Sequence, residues 1–501
     1  MVERQWSTYQ KAIFDEVAKG TGNVVVMARA GSGKTSTIVE ALKFLPPDTK
    51  ALLCAFNKRI QVELANRAPR GVDVKTLHSI GFSAVRLAWG QLILNDQKVD
   101  GIIHKLLPDA RGPTIAAIKK LVGLAKNSLA SKVDQVVDLA YQFGIESDEY
   151  VEEDLAKYAL KVMERCLEKS SEIDFDDMIW LPVKLGMATS RYDIVFVDET
   201  QDLNACQLEL AKKSCKPEGR IFAVGDDRQA IYRFRGADEN AIGRMIKELN
   251  AKVLPLSICY RCGRKIIEMA KQVVPDIEVS ENAYDGEIIN VKADAFLNTV
   301  MPQPKDFVLS RTNAPLMGVC LGLLRQGIPA TVAGREVATA LINLIGRSKT
   351  DTIPELVAWL ERWRTREIEK LHARGKNGTM ELAVNDKVET IEAISDGCAM
   401  VSEVVKRLND IFSDQETNGK VVCSTVHKAK GLEAKRVFML RETFRPGGST
   451  EEDNIFYVAI TRAQESLMIV SGGKEGFGAQ KPRAPVERHG FAKDFESVSL
   501  F

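Results

Sequence analysis

The segment Ala28-Arg-Ala-Gly-Ser-Gly-Lys-Thr35 gathers glycines, a lysine and a hydroxyl into one short stretch. Gly31 and Gly33 let backbone N–H groups turn toward an anion. Lys34 brings a charge for the β and γ phosphates of a nucleotide, and the Thr35 hydroxyl can ligate Mg²⁺. The strict phosphate-loop pattern has Gly where Ala28 stands, and a chance Gly-rich turn is the alternative. A phosphate loop by itself does not separate kinases, GTPases, ABC-type ATPases and helicases.

A second chemical group is Asp198-Glu199, at the end of the apolar run Asp193-Ile-Val-Phe-Val-Asp198. Two adjacent carboxylates at a strand tip can divide the labour. Asp198 would hold a Mg²⁺ water shell, and Glu199 would orient and deprotonate an attacking water. The alternative is a solvated acidic turn.

These groups need elements to aim them. Asn23-Val-Val-Val-Met27 reads as a buried strand, and Lys34–Lys43 resumes with helical spacing. A third strand, Arg220-Ile-Phe-Ala-Val224, runs into Gly225-Asp226-Asp-Arg-Gln229. Three strands ending in polar loops predict a parallel sheet with ligand at its carboxyl edge.

The chain has 501 residues, 45% hydrophobic and 27% charged, which fits a globular protein of three or four domains. A formal net charge of +1 sets up no global field for a polyanion, although a local basic stripe would suffice. Nine scattered cysteines read as reduced thiols in a cytoplasmic setting, nuclear in a eukaryote. Cys259-Tyr-Arg-Cys262 has metal-ligand spacing, but no second pair lies nearby, so it reads as structural. The sequence predicts no secretory signal and no membrane span.

Further motifs follow in order. They are Asp198-Glu-Thr-Gln-Asp202, Val224-Gly-Asp-Asp-Arg-Gln-Ala-Ile-Tyr-Arg-Phe-Arg-Gly-Ala237, Leu256-Ser-Ile-Cys-Tyr-Arg261, Cys423-Ser-Thr-Val-His-Lys-Ala-Lys-Gly-Leu-Glu433 and Glu451-Glu-Asp-Asn-Ile-Phe-Tyr-Val-Ala-Ile-Thr-Arg-Ala463. Together they resemble motifs II to VI of the superfamily 1 DNA helicases of the UvrD/Rep kind. Ala28-x-Ala30-Gly-Ser-Gly-Lys-Thr35 is similar to the loop form this family uses.

The resemblance implies an α/β fold with two RecA-like parallel-sheet motor domains, each interrupted by a mostly helical insertion. It implies ATP and Mg²⁺ as cofactors. Nucleotide contacts would come from Gln10 (adenine reading), Ala28, Ala30, Gly31, Ser32, Gly33, Lys34, Thr35, Ser36, Tyr260 (adenine stacking), Arg261, Gly431, Glu433 and Arg462. Thr35 and Asp198 would hold the metal. Lys34, Glu199, Gln229, Arg261 and Arg462 would be catalytic, the two arginines reaching the γ phosphate from the second motor domain.

DNA contacts are implied for Phe56, Asn57, His78, Thr425, His427 and Arg235, and for Tyr232 and Phe234, whose aromatic faces suit base stacking. The family usually has Trp where Phe234 stands, and a core role for the two aromatics is the alternative. Ala55-Phe56-Asn57-Lys58 is one residue shorter than the common family form and resembles the F-box DNA helicase branch. Asp174-Phe-Asp-Asp-Met178 resembles the return from the first insertion, with structural acids.

The domains expected are 1–82 with 172–243 (first motor), 83–171 (helical insertion), 244–345 with 416–472 (second motor), 346–415 (small helical insertion) and 473–501 (flexible tail). The tail ends in Ser497-Val-Ser-Leu-Phe501, which resembles sliding-clamp-binding peptides; a frayed terminus is the alternative. The implied activity is a 3′→5′ DNA helicase and single-stranded DNA translocase acting on single strands and on tailed or forked duplexes. A protein-displacing translocase that unwinds poorly and an ATP-dependent binding switch are the alternatives.

Overall fold

The computed structural model describes residues 5–147, 149–231, 241–373, 379–412 and 419–472. Its first half is built on strands β1 (Val24–Ala28), β2 (Ala51–Ala55), β3 (Val72–Thr76), β4 (Ile93–Leu94), β5 (Glu172–Ile173), β6 (Tyr192–Val197), β7 (Cys215–Gly225) and β8 (Lys252–Leu256). All except β4 and β5 form one six-stranded sheet in the order β3-β2-β6-β7-β1-β8. Every pairing in it is parallel.

The side chains of such a sheet alternate between two buried faces. Val24, Val26, Leu53, Phe196 and Phe222 enter one core. Val25, Leu52, Val195 and Ala223 enter the other, shared with the helices Lys98–Leu106, Gly112–Ser128, Val133–Phe143 and Glu152–Cys166.

A second set comprises β9 (Ile258–Cys259), β10 (Glu278–Val279), β11 (Glu287–Lys292), β12 (Phe307–Ser310), β13 (Ala330–Val332), β14 (Val421–Thr425), β15 (Ala434–Leu440) and β16 (Ala463–Ser471). β9 and β10 pair with each other, and the rest form a second six-stranded sheet, β11-β16-β15-β12-β14-β13, again parallel throughout. The fold is thus α/β, with the two RecA-like sheets the sequence predicts.

The expected boundaries need correction. β8 pairs with β1, so the first sheet runs past residue 243 to Leu256. Pro255 is tolerated there because β8 is an edge strand. Helix Leu77–Trp89 passes through the expected break at 82, and helix Arg335–Ser348 passes through that at 345. The second insertion supplies helices Ile353–Ala373, Thr379–Ser395 and Val401–Ile411. Their Leu356, Leu360, Val388, Ile391, Val404 and Leu408 lie in one core with Val308, Phe438 and Leu440 of the second sheet. Among the described residues, no helix is long and apolar enough to cross a membrane.

A buried charge network joins the first insertion to its sheet. Asp174 caps helix Phe175–Lys184 in a capping box with Asp177. Lys126 Nζ reaches Asp174 and Asp177, each at 2.8 Å, and Lys98 Nζ reaches Asp177 at 2.6 Å. These acids are structural, in keeping with the sequence. Burial alone would depress the Lys126 ammonium, but Asp177 and Asp174 outweigh it and raise its pKa.

Replacing Lys126 by Met leaves the buried Asp174 without its cation and Asp177 with Lys98 alone, and should cost on the order of 3–5 kcal/mol in urea unfolding. Because the folded pKa is raised, the ammonium's contribution is complete below about pH 10 and is lost only as pH climbs through the folded value. The difference between wild type and Lys126→Met should therefore stay level from neutral pH to about pH 10.

Candidate nucleotide and DNA site

The phosphate loop leaves β1 at Ala28 and re-enters regular structure as helix Lys34–Ala41. Gly31 and Gly33 have φ of 67° and 78°, the left-handed region that favours glycine. A Cβ on Gly31 would also lie 2.7 Å from Arg261 Cβ and from Cys259 Sγ. Ala28 and Ala30 are buried, with their methyls in two different cores. Ser32 Oγ is buried without a hydrogen-bond partner, an orphaned polar atom of the kind a phosphate oxygen would satisfy. Thr35 and Ser36 occupy the first turn of the helix, and Arg67 Nη2 donates to Ser36 Oγ at 3.4 Å.

Lys34 Nζ meets Glu199 Oε2 at 2.7 Å. Burial alone would depress the ammonium; Glu199, Asp198 and Asp226 overcome that and raise its pKa. Asp198 stands just past β6, and Glu199 follows in the left-handed region with φ of 50°. Burial, reinforced by the Glu199 charge, pushes the Asp198 carboxyl up to about 7. Glu199 is half-buried; Lys34 and Lys430 outweigh that burial and hold it down at about 2. At neutral pH Glu199 is therefore ionised, while Asp198 stands near the middle of its titration. Gln201 Nε2 donates to it at 2.6 Å. Thr35 and Asp198 offer only oxygen donors, which suits Mg²⁺. No cluster of three His, Cys, Asp or Glu able to hold a metal exists among the described residues.

The second sheet closes over this loop. Tyr457 Oη, on helix Thr450–Ile460, accepts from the Ala30 amide at 2.8 Å. The Tyr260 amide donates to Gly31 O at 2.9 Å, and Tyr260 is 43% exposed. Arg261 pairs with Glu433, which also accepts from Gln464 Nε2 at 2.8 Å. Gly431, two residues before Glu433, turns with φ of 82°. Lys430 Nζ grips both Asp202 oxygens at 2.7 and 2.8 Å and the Gln229 carbonyl at 2.6 Å. Burial raises Asp202 to about 6 against the pull of Lys430. Gln229 Nε2 donates to Asp226 Oδ2 at 2.7 Å.

Two predicted residues are engaged differently from their expected roles. Arg462 is buried, and its guanidinium donates to Val458 O at 3.1 Å, Leu432 O at 2.9 Å and Thr461 Oγ1 at 3.4 Å. Burial, with Arg261 nearby, lowers its pKa to about 10. Two of its five N–H groups remain outside these bonds. Gln10 is buried in a capping box: its Oε1 accepts from Ser7 N at 3.0 Å and its Nε2 donates to Thr37 Oγ1 at 2.9 Å. One N–H and one lone pair remain for a base edge.

Comparison with known proteins agrees with this geometry. The UvrD/REP helicase N-terminal domain model matches residues 49–250, and the UvrD-like helicase C-terminal domain model matches 348–472, together more than half of the chain. The chain belongs to the UvrD/Rep helicase family. It is 25% identical to F-box DNA helicase protein 1 of Schizosaccharomyces pombe, over 92% of this chain and 57% of that protein. It is 26% identical to the ATP-dependent DNA helicase PcrA of Bacillus subtilis, over 64% of this chain and 49% of PcrA. Against the ATP-dependent DNA helicase Rep of Escherichia coli the figures are 24%, 51% and 41%. The chain spans about half the length of the curated relatives it matches.

In this UvrD/Rep chain two of the residues expected on DNA, Phe56 and His78, lie close to Asp198. Phe56 and His78 line one small cleft with Asp198, Leu203 and Gln207. Phe56 is exposed. Asn57 uses its Oδ1 to cap helix Lys58–Arg67, accepting from Ile60 N at 2.9 Å. His78 sits edge-on to Phe175 at 6.4 Å, and burial lowers its pKa, so the imidazole is neutral at pH 7. Thr425 is buried at the end of β14, and His427 follows in the short helix Val426–Ala429. Tyr232, Phe234, Arg235 and the tail Ser497–Phe501 lie outside the described residues. Cys259 and Cys262 are buried, and Cys262 Sγ donates to Thr461 O at 3.7 Å, a packing role.

Sequence reasoning missed Lys430, Tyr457, Asp226 and Arg29. All four stand inside quoted motifs, but only the partners they meet in the fold mark them. Arg29 carried one usable signal, a charge at the tip of an apolar strand.

Tyr457→Phe should leave the buried Ala30 amide without an acceptor and cost about 1–3 kcal/mol. Amide hydrogen exchange at Ala30 should speed up by the corresponding factor. Unchanged protection would show that the hydroxyl is not what holds the loop.

Proposed function

We propose that the chain is a DNA-dependent ATPase that works as a DNA helicase and single-stranded DNA translocase, moving 3′→5′. The observation that carries this reading is the split nucleotide site. The phosphate loop and acid pair belong to the first sheet, while Tyr260, Arg261, Lys430 and Tyr457 reach them from the side of the second. The relatives' names, each a DNA helicase, support the substrate class.

The residues divide the work as their chemistry allows. A phosphate oxygen that takes Lys34 frees the Glu199 carboxylate and removes the main charge that holds its pKa down, so its basicity rises toward what accepting a water proton requires. Mg²⁺, when bound with ATP, neutralises phosphate charge beside Asp198 and Thr35. Arg261, held by Glu433, adds planar donors from the other side. Gln229, tied to Asp226 and through its carbonyl to Lys430, links the phosphate end to the turn that leads toward Tyr232, Phe234 and Arg235. Loss of the γ phosphate removes one shared ligand and loosens closure.

A second reading is a translocase that displaces proteins but unwinds duplex poorly. It is favoured by the second insertion, whose helices share the second sheet's core. A sliding clamp as partner rests only on the tail sequence.

Strand displacement on 3′-tailed, 5′-tailed and blunt duplexes separates these readings. The helicase reading expects ATP-dependent unwinding of the 3′-tailed substrate alone. Single-strand translocation without displacement would select the second reading. Lys34→Ala should abolish turnover. Glu199→Gln should still bind ATP while hydrolysis falls by about 10²–10⁴-fold, the usual weight of a general base. Phe234→Ala should weaken stimulation by single-stranded DNA while leaving nucleotide binding largely intact, and full stimulation would refute its stacking role.

A further inference from the structure

We propose that Arg29 is a positioning residue that clamps the phosphate loop and the Asp226–Gln229 turn to the second sheet's body through Asp276. The role assigned to the clamp, holding the nucleotide cleft closed, rests on the motor reading above.

Arg29 is the residue after β1, and it is buried. Each of its three nitrogens meets an acceptor. Nε and Nη2 form a fork with Asp276, at 2.9 Å to Oδ1 and 2.6 Å to Oδ2. Nη1 reaches Asp227 at 2.6 Å, Asp226 at 3.1 Å and the Ala28 carbonyl at 3.3 Å. A lysine could not reproduce this planar fork with a second set of acceptors behind it.

The partners differ in what they belong to. Asp226 and Asp227 follow β7 of the first sheet. Asp276 stands between helix Arg264–Lys271 and β10, and its neighbours Val274 and Ile277 are fully buried in the second sheet's core. Asp276 is thereby pinned to the second body although its own side chain is 58% exposed. The same turn receives two more contacts from the first body. Arg228 Nη2 donates to Val273 O at 2.9 Å, and Tyr9 Oη donates to Glu278 at 2.7 Å. Residues 273–278 therefore gather one contact each from the phosphate loop, from the Gln229 turn and from the helix that carries Gln10.

The clamp has a permanent and a releasable half. The Asp226 side is sealed, with no side-chain exposure, so breaking it would strand a buried charge. The Asp276 side is partly wet and breaks at far lower cost. Cleft opening would release Asp276 while Arg29 stays on Asp226 and Asp227, so the loop keeps its shape between cycles.

The test uses the full chain with Asp276→Ala and Asp276→Glu, which leave the buried half intact. Two readouts are taken. The first is hydrogen–deuterium exchange without nucleotide over residues 29–36 and 273–279. The second is kcat and KM for ATP with single-stranded DNA. Asp276→Ala should speed exchange in both segments and lower kcat about fivefold, with KM moving less than about twofold, a coupling of the size expected for a half-exposed pair. Asp276→Glu should restore both readouts. Unaltered exchange over 29–36 in Asp276→Ala, or equal losses in the two variants, would overturn the clamp. An inactive parent chain counts against the motor reading, whereas an active parent with an unaltered Asp276→Ala variant counts against the clamp alone.

Discussion

Asp198, Asp202 and Asp226 are carboxyl groups removed from water at one seam, with Glu199 half-buried beside them, and each needs a cation within reach or a proton of its own. Burying an ion without compensation costs several kcal/mol. Lys34 answers Glu199, Arg29 answers Asp226, and Lys430 answers Asp202. Asp198 has no direct ion pair among the described residues, and its pKa rises instead. Lys430 follows β14 of the second sheet. The first sheet alone therefore leaves Asp202 uncompensated, and the two bodies come together to satisfy charge before any nucleotide is considered.

That constraint explains why the loop needs glycine at 31. Close approach of the second body leaves no room for a Cβ between Arg261 and Cys259. It also explains why Ala30 and Ile231 share a core with Ile455, Val458 and Ile460 rather than with the first sheet. Apolar packing brings the surfaces into register, and the ionic contacts then fix it at ångström scale. Neither would suffice alone, since apolar contact is non-directional and wet ion pairs are weak.

The sequence reveals much of this but not its pairing. Strands β1 and β6 were visible because their Val-rich runs stand between turn residues. β7 was visible only from Arg220 onward, because the Cys215-Lys-Pro-Glu-Gly219 start resembles a loop. β3 was missed: Val72-Asp-Val-Lys-Thr76 alternates like an edge strand, which it is. β8 was given to the wrong body because its pairing with β1 is a long-range fact and Pro255 argues against a central strand. Chemistry-bearing residues were legible where a motif fixes them. Arg29 with Asp276, Lys430 with Asp202 and Tyr457 with Ala30 were not, because side chains far apart in sequence meet only once both sheets are built. Arg462 shows the reverse: the motif names it, but the present packing turns its guanidinium onto its own backbone.

The second insertion bears on how the molecule carries load. Leu356, Leu360, Val388 and Ile391 are fully buried against the second sheet, and Asp386 accepts from the Asn313 and Ala314 amides at the start of helix Ala314–Arg325. A subdomain with its own core could swing on a linker. This one cannot leave without opening the sheet's core. Insertion and sheet should unfold as one cooperative unit, so any force met at the insertion is borne by the same apolar layer that supports the nucleotide cleft.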